Sequence, residues 1–127
     1  MRASSKIVVA VAAGAIAGIA GTAVAYAAAS PHAYIVAMID VHDAAAYKPY
    51  AERTAKIVAQ HGGKYLARGG ATKMIEGEAP PNRVAIIEFP SMEALEKFES
   101  SPEYAAVKPI RQRAAASRIF AVEGAAP

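Results

Sequence analysis

Cysteine is absent from the chain, which excludes disulfides, thiolate catalysis, a cysteine-ligated zinc site and a lipid-modified cysteine near the amino terminus. A domain without such staples is held by its core alone. Charge is missing from a second place: after Arg2 and Lys6 no charged side chain follows until His32 and Asp40. Between them Ile7 to Val24 is an almost unbroken Ala/Val/Ile/Gly run. It ends in Ala25-Tyr26-Ala27-Ala28-Ala29, with small residues at the spacing a signal peptidase reads. Residues 1–29 are therefore expected to be a signal peptide, cut after Ala27 or Ala29, and the mature protein to be exported, periplasmic or secreted. The rival reading is an uncleaved anchor, because the run can cross a bilayer at about 20 residues. Its Ala and Gly content gains little from hydrocarbon and argues against that.

Surplus charge is lacking too. Without Arg2 and Lys6, 12 basic residues face 11 acidic ones, so the mature chain is close to neutral. Nucleic acid is then not an expected partner, since it needs clustered Lys and Arg, and a membrane is expected only through a retained leader. The histidines at 32, 42 and 61 have no ligand spacing, so no metal is expected. No cofactor is expected either: Gly69-Gly70 is too little for a phosphate loop, and no lone histidine offers itself to haem.

What is present is a β–α alternation from Ala33 onward. Ala33–Val41 (AYIVAMIDV) is short and β-branched, which predicts a strand with Ile35, Ile39 and Val41 on one side and Tyr34, Val36 and Met38 on the other. Asp43 can cap a helix whose inner face is Tyr47, Tyr50, Thr54, Ile57, Val58 and His61. Pro49 predicts a kink or a short leading turn before the main helix, and Gly62-Gly63 the exit. Lys64–Arg68 is a second strand, with Thr72–Ile75 as an extension beyond a bulge, and Glu76–Asn82 is a turn. Arg83–Phe89 is a third strand. Ser91 caps a helix over Met92–Ser100, Ser101-Pro102-Glu103 starts another running to about Ala115, and Ser117–Glu123 is the last strand. The tail is 124–127.

This order predicts an α+β domain over residues 33–123, a ferredoxin-like βαββαβ fold with a four-stranded antiparallel sheet and helices on one face. The other face needs a cover. Leaving Val36, Met38 and their neighbours wet forfeits roughly 1.5–3 kcal/mol each, comparable over four residues with the roughly 5–15 kcal/mol stability of a domain. A second copy packed sheet against sheet removes that cost, so a homodimer is expected.

The polar and aromatic residues inside this pattern carry a resemblance. Tyr47 and Tyr50, the run Gly62-Gly63-Lys64-Tyr65-Leu66-Ala67-Arg68-Gly69-Gly70, the strand end Ile87-Glu88-Phe89-Pro90 and Ser101-Pro102-Glu103-Tyr104 resemble the bacterial domain-of-unknown-function family 1330, in the dimeric α/β-barrel group. The resemblance spans Ala33 to Glu123. Related barrels include cofactor-independent monooxygenases, lactone isomerases and haem-degrading enzymes, so it implies a pocket between sheet and helices and no single chemistry.

Candidate residues each have a plainer alternative. Arg68, beside two glycines, can grip a carboxylate or pair with Glu88. Glu88 in an apolar strand would have its pKa raised by desolvation, toward a general acid or base. Asp40 with His42 can form an oriented base, although a strand-end Asp is more often a turn former. Tyr47, Tyr50 and Tyr104 can hydrogen-bond a ligand or simply pack. The resulting expectation is a dimeric barrel of unassigned activity that binds a small hydrophobic or carboxylate-bearing molecule, with Arg68, Tyr47, Tyr50 and Tyr104 as ligand-binding candidates. The alternative is a cofactor-independent enzyme, monooxygenase- or isomerase-like, with Glu88 or Asp40 transferring the proton.

Overall fold

A computed structural model describes residues 30–126; residues 1–29, and with them the expected signal peptide, lie outside the described part. The elements run β1 (Ala33–Val41), α1 (Ala44–Gln60), β2 (Lys64–Arg68), β3 (Arg83–Phe89), α2 (Met92–Glu99), α3 (Pro102–Ala114) and β4 (Ala115–Glu123). The strands form one sheet in the order β2-β3-β1-β4, every neighbouring pair antiparallel. The expected α+β ferredoxin-like order is the one observed.

Alternation along β1 decides which side the helices cover. Ala33, Ile35, Ala37 and Ile39 are buried, because they face α1 and α3 together with Ala85, Ile87 and Phe89 of β3. Ala37 stands directly opposite Ala85 in the ladder. Two methyl groups at the sheet centre leave a depression, and the larger Tyr47, Tyr50 and Tyr104 of the helices fill it. Phe89, Phe98, Val58 and Val107 are fully enclosed, and each contributes roughly 1.5–3 kcal/mol by leaving water.

The three helices are capped as their sequences predict. Asp43 accepts from the Ala46 amide, Ser91 from Ala94 and Ser101 from Tyr104. Gly62 takes the left-handed exit of α1 at φ 78°. Pro49 does not delay the helix as expected: α1 is continuous from Ala44. The carbonyl deprived of its partner is that of Ala45, which is exposed beside exposed Pro49, so water can satisfy it. Pro109 in α3 sits in the same situation over exposed Ala105.

Two boundaries differ from expectation. Thr72–Ile75 forms no strand, and the bulge lies earlier, where Tyr65 pairs with Ile87 and Ala67 with Ile86. Leu66 is the extra residue. Helix α3 passes into β4 without a loop, and the Ala114 carbonyl accepts from both His42 and Asp43 amides, which joins that corner to the start of α1.

The second face of the sheet carries Tyr34, Val36 and Met38 of β1 beside Val84 and Ile86 of β3 and Phe120 and Val122 of β4. Among the described residues no helix reaches it. Phe120 and Val122 keep 50% and 46% of their surface in solvent.

Candidate functional site

Helical spacing in α1 turns Tyr47, Tyr50 and Thr54 toward the sheet, and in α3 it turns Tyr104, Val107 and Arg111 toward α1. The Tyr50 and Tyr104 hydroxyls meet at 2.8 Å in the interior, and the Tyr47 and Tyr50 rings lie 5.3 Å apart. Around them is a chamber of about 30 Å³ that Ala37, Ala85, Ile39 and Tyr65 also line, room for little more than water. Thr54 is 3% exposed, and its Oγ1 finds no hydrogen-bond partner among the described residues.

Two cations border the same tyrosines. The Arg83 guanidinium lies 5.3 Å from the Tyr47 ring centre and that of Arg111 lies 5.7 Å from Tyr50. Gly69 makes the first position possible: a side-chain carbon there would come within 2.6 Å of Arg83 Nη1, at a backbone φ of 67°. Among the described residues neither guanidinium forms an ion pair, and Nε of each is buried without a partner. Burial raises the pKa of Tyr50, Tyr47 and Tyr65, so these phenols stay protonated and able to donate. Desolvation pulls the Arg111 pKa down, but the Tyr104 and Tyr50 oxygens more than offset it, and the group stays charged.

A wider cavity of about 370 Å³ lies between α2, α3 and β4, lined by Leu95, Glu99, Lys108, Arg111, Ser117 and Phe120 among others. It shares Ile35, Glu99 and Ile119 with the inner chamber. The two are therefore neighbouring compartments on the helix side of the sheet. Its size falls within the roughly 300–1,000 Å³ of small-molecule sites.

The structure brings Tyr47, Tyr50 and Tyr104 together and places the other candidates elsewhere. Arg68 sits at the rim, its Nη2 donating to the Ala51 carbonyl at 2.8 Å and its guanidinium 4.7 Å from the Tyr65 ring centre. It forms no pair with Glu88, which lies on the other side of the sheet. There Glu88 Oε2 meets His32 Nδ1 at 2.9 Å and accepts from the Tyr34 hydroxyl at 3.1 Å, while Oε1 lies 3.7 Å from Lys64 Nζ. The expected upward shift of Glu88 is overturned: the His32 and Tyr34 hydrogen bonds hold its pKa below the ordinary value.

Asp40 also faces away from the chamber. It accepts from the Asn82 amide at 3.0 Å, and the Asn82 side chain in turn bonds both backbone groups of Val41 at 2.8 Å. The acid fastens the long β2–β3 connection to β1, and His42 stands exposed beside it. Arg83, Arg111, Thr54 and Tyr65 are the cluster members not singled out from sequence. Arg111 had a signal, seven residues after Tyr104 on one helical face, and so had Arg83, in alternation with Ala85 and Ile87. Among the described residues no three His, Asp or Glu side chains gather as metal ligands.

A sheet of this order with tyrosines and arginines beneath its helices defines a ferredoxin-like α+β protein with an internal polar cluster. Residues 32–125 match the family model described as a domain of unknown function, DUF1330, and the chain belongs to that family. Among curated proteins none matches it in sequence. Among solved structures it is similar to a protein of unknown function from Rhodopseudomonas palustris, at 22% identity over 84% of this chain and 94% of that one, with a TM-score of 0.64. The cofactor-independent oxygenase SnoaB from Streptomyces nogalater is similar at 16% identity over 77% and 97% of the two chains, with a TM-score of 0.57. A dimeric ferredoxin-like protein of unknown function from Bacteroides fragilis is similar at 14% identity over 72% and 95%, with a TM-score of 0.51. At such identities these neighbours share the fold alone.

Proposed function

We propose that the protein is a homodimer that binds a small molecule, hydrophobic or carboxylate-bearing, between its sheet and helices. The observation that carries the ligand reading is the pair of guanidinia beside the tyrosines, neither of which forms an ion pair among the described residues. An enclosed cation without a counter-charge costs several kcal/mol, and apolar residues of similar volume would hold the helices to the sheet as well. A fold that keeps such positive potential inside is built to receive something negative or polar.

The dimer rests on the uncovered apolar face, and the dimeric relative from Bacteroides fragilis with its ferredoxin-like fold supports it. Light scattering at micromolar concentration tests this half, a dimer mass being the expected result and a stable single subunit the result that removes it. Native mass spectrometry of the protein as recovered from cells tests the other half. A bound small molecule is expected, released on unfolding.

A catalytic reading is favoured by one feature, the Tyr50–Tyr104 hydroxyl pair next to Arg111, since protonated donors beside a cation stabilise an oxyanion as it develops. SnoaB, a cofactor-independent oxygenase of similar fold, supports a catalytic role without a cofactor. Turnover of a ligand once identified, abolished in Tyr50→Phe at unchanged affinity, is the outcome that supports it. Export through a cleaved residue 1–29 leader belongs to the same proposal. Intact mass from the cell envelope starting at residue 28 or 30 is the expected finding, and a mass retaining Met1 is the contrary one.

A further inference from the structure

We infer that the ligand is an amphipathic monocarboxylate, held in the cavity between α2, α3 and β4 with its carboxylate on Arg111. This deepens the ligand reading above and rests on it. It moves the anchor from Arg68, which already uses its guanidinium on the Ala51 carbonyl and the Tyr65 ring, to an arginine that is 7% exposed and forms no ion pair among the described residues.

Three features of the cavity define the chemical class. First, Arg111 and Ser117 each carry a buried atom with no partner, Nε and Oγ, and both residues line this one cavity. A carboxylate is the simplest group that can take a guanidinium N–H and a hydroxyl at once. Second, the charges on the lining are those of Lys108, Arg111 and Glu99, a net of one positive. One negative charge is balanced there, whereas a phosphate monoester or a dicarboxylate brings a second that meets Glu99. Third, the remaining lining includes Ile35, Leu95 and Ile119, which offers an apolar body a place to leave water at roughly 25 cal/mol per Å². The cavity volume of about 370 Å³ accommodates a medium-length acyl chain or one aromatic ring. The inner chamber of about 30 Å³ accommodates neither, so the tyrosines bound the ligand from within and do not enclose it.

Calorimetry on the full mature protein with octanoate, octan-1-ol and octyl phosphate tests this. Octanoate is expected to bind best, with the alcohol and the phosphate at least tenfold weaker. Arg111→Gln is expected to lower octanoate affinity at least tenfold, and Arg68→Ala to change it less than twofold. Unchanged octanoate affinity in a folded Arg111→Gln protein overturns the inference while leaving ligand binding itself intact, as does an equal loss in Arg68→Ala. Should Arg111→Gln fail to fold, the Arg111 Nε–H resonance of the wild type is followed during octanoate titration. A shift that saturates with binding supports the anchor, and a resonance that stays in place overturns it. No binding of octanoate by the wild type also overturns it, and ligand binding in general falls with it only if the recovered protein carries no bound molecule by native mass spectrometry.

Discussion

Val36 and Ala37 are neighbours in β1, yet Ala37 is 5% exposed beneath Tyr47 and Tyr50, while Val36 is only partly buried across from Phe120. The difference repeats along the sheet. The side under the helices combines small residues with aromatic rings and two unpaired cations, and it is where polar chemistry is enclosed. The other side is a row of aliphatic and aromatic side chains bounded by charge at both ends, by Arg118 and Asp40 at one and at the other by Glu88, which gathers His32, Tyr34 and Lys64. One side is covered by the helices of the same chain and the other is not, which separates what the fold covers by itself from what the proposed second copy would supply.

Four perturbations break or sharpen that contrast. Phe98 packs 4.7 Å from the Tyr104 ring and 5.3 Å from Phe89, so Phe98→Ala should lower stability by about 3–5 kcal/mol in chemical denaturation. An effect below about 1 kcal/mol would show that the helix side is not the organising core. Val36→Arg should weaken the dimer by about 100-fold, or roughly 2.8 kcal/mol, while near-native circular dichroism is retained. Sedimentation equilibrium reads this directly, and an unchanged dimer would place the interface elsewhere.

Tyr50→Phe removes the 2.8 Å hydroxyl contact and should cost about 1–3 kcal/mol by leaving the Tyr104 hydroxyl unpaired. Burial raises the Tyr50 pKa above the ordinary 10.0, so its contribution is present below that pH and is lost as pH climbs beyond it. The wild type should therefore lose stability above about pH 10 more steeply than the variant does. Glu88→Gln should have the smallest effect, confined to acid. A lowered Glu88 pKa stabilises the fold above the ordinary carboxylate range and ceases to as pH falls through it. The acid limb of the thermal midpoint should flatten in the variant, and an identical limb would show that the exposed cluster contributes nothing.

Much of the fold is legible in the sequence because it depends on local rules. Asp43, Ser91 and Ser101 announce helix starts by side-chain chemistry alone, and the period-two pattern of Ala33–Val41 separates the two faces of β1. Tyr47, Tyr50 and Tyr104 could be named as candidates from family resemblance and helical spacing. Their meeting, and the arrival of Arg111 and Arg83, depend on how α1 and α3 pack over the Ala37–Ala85 pair, which no local pattern encodes. Glu88 misleads for the same reason. Flanked by Ile87 and Phe89 it reads as a desolvated acid, yet alternation turns it to the open face, where His32 and Tyr34 reach it from β1 and the segment before it.

The displaced register in β2 has an outcome of its own. Counted straight from Lys64, the ladder would set Arg68 opposite Val84 and among the aliphatic residues of the exposed face; with Leu66 inserted it pairs with Ala85 instead and its head reaches α1. Flattening the bulge at unchanged length would thus transfer a fixed positive charge from the helix side of the sheet to its uncovered apolar face, whereas deleting Leu66 would leave Arg68 opposite Ala85. The one-residue slip in β2 is what decides which side of the sheet receives the Arg68 charge.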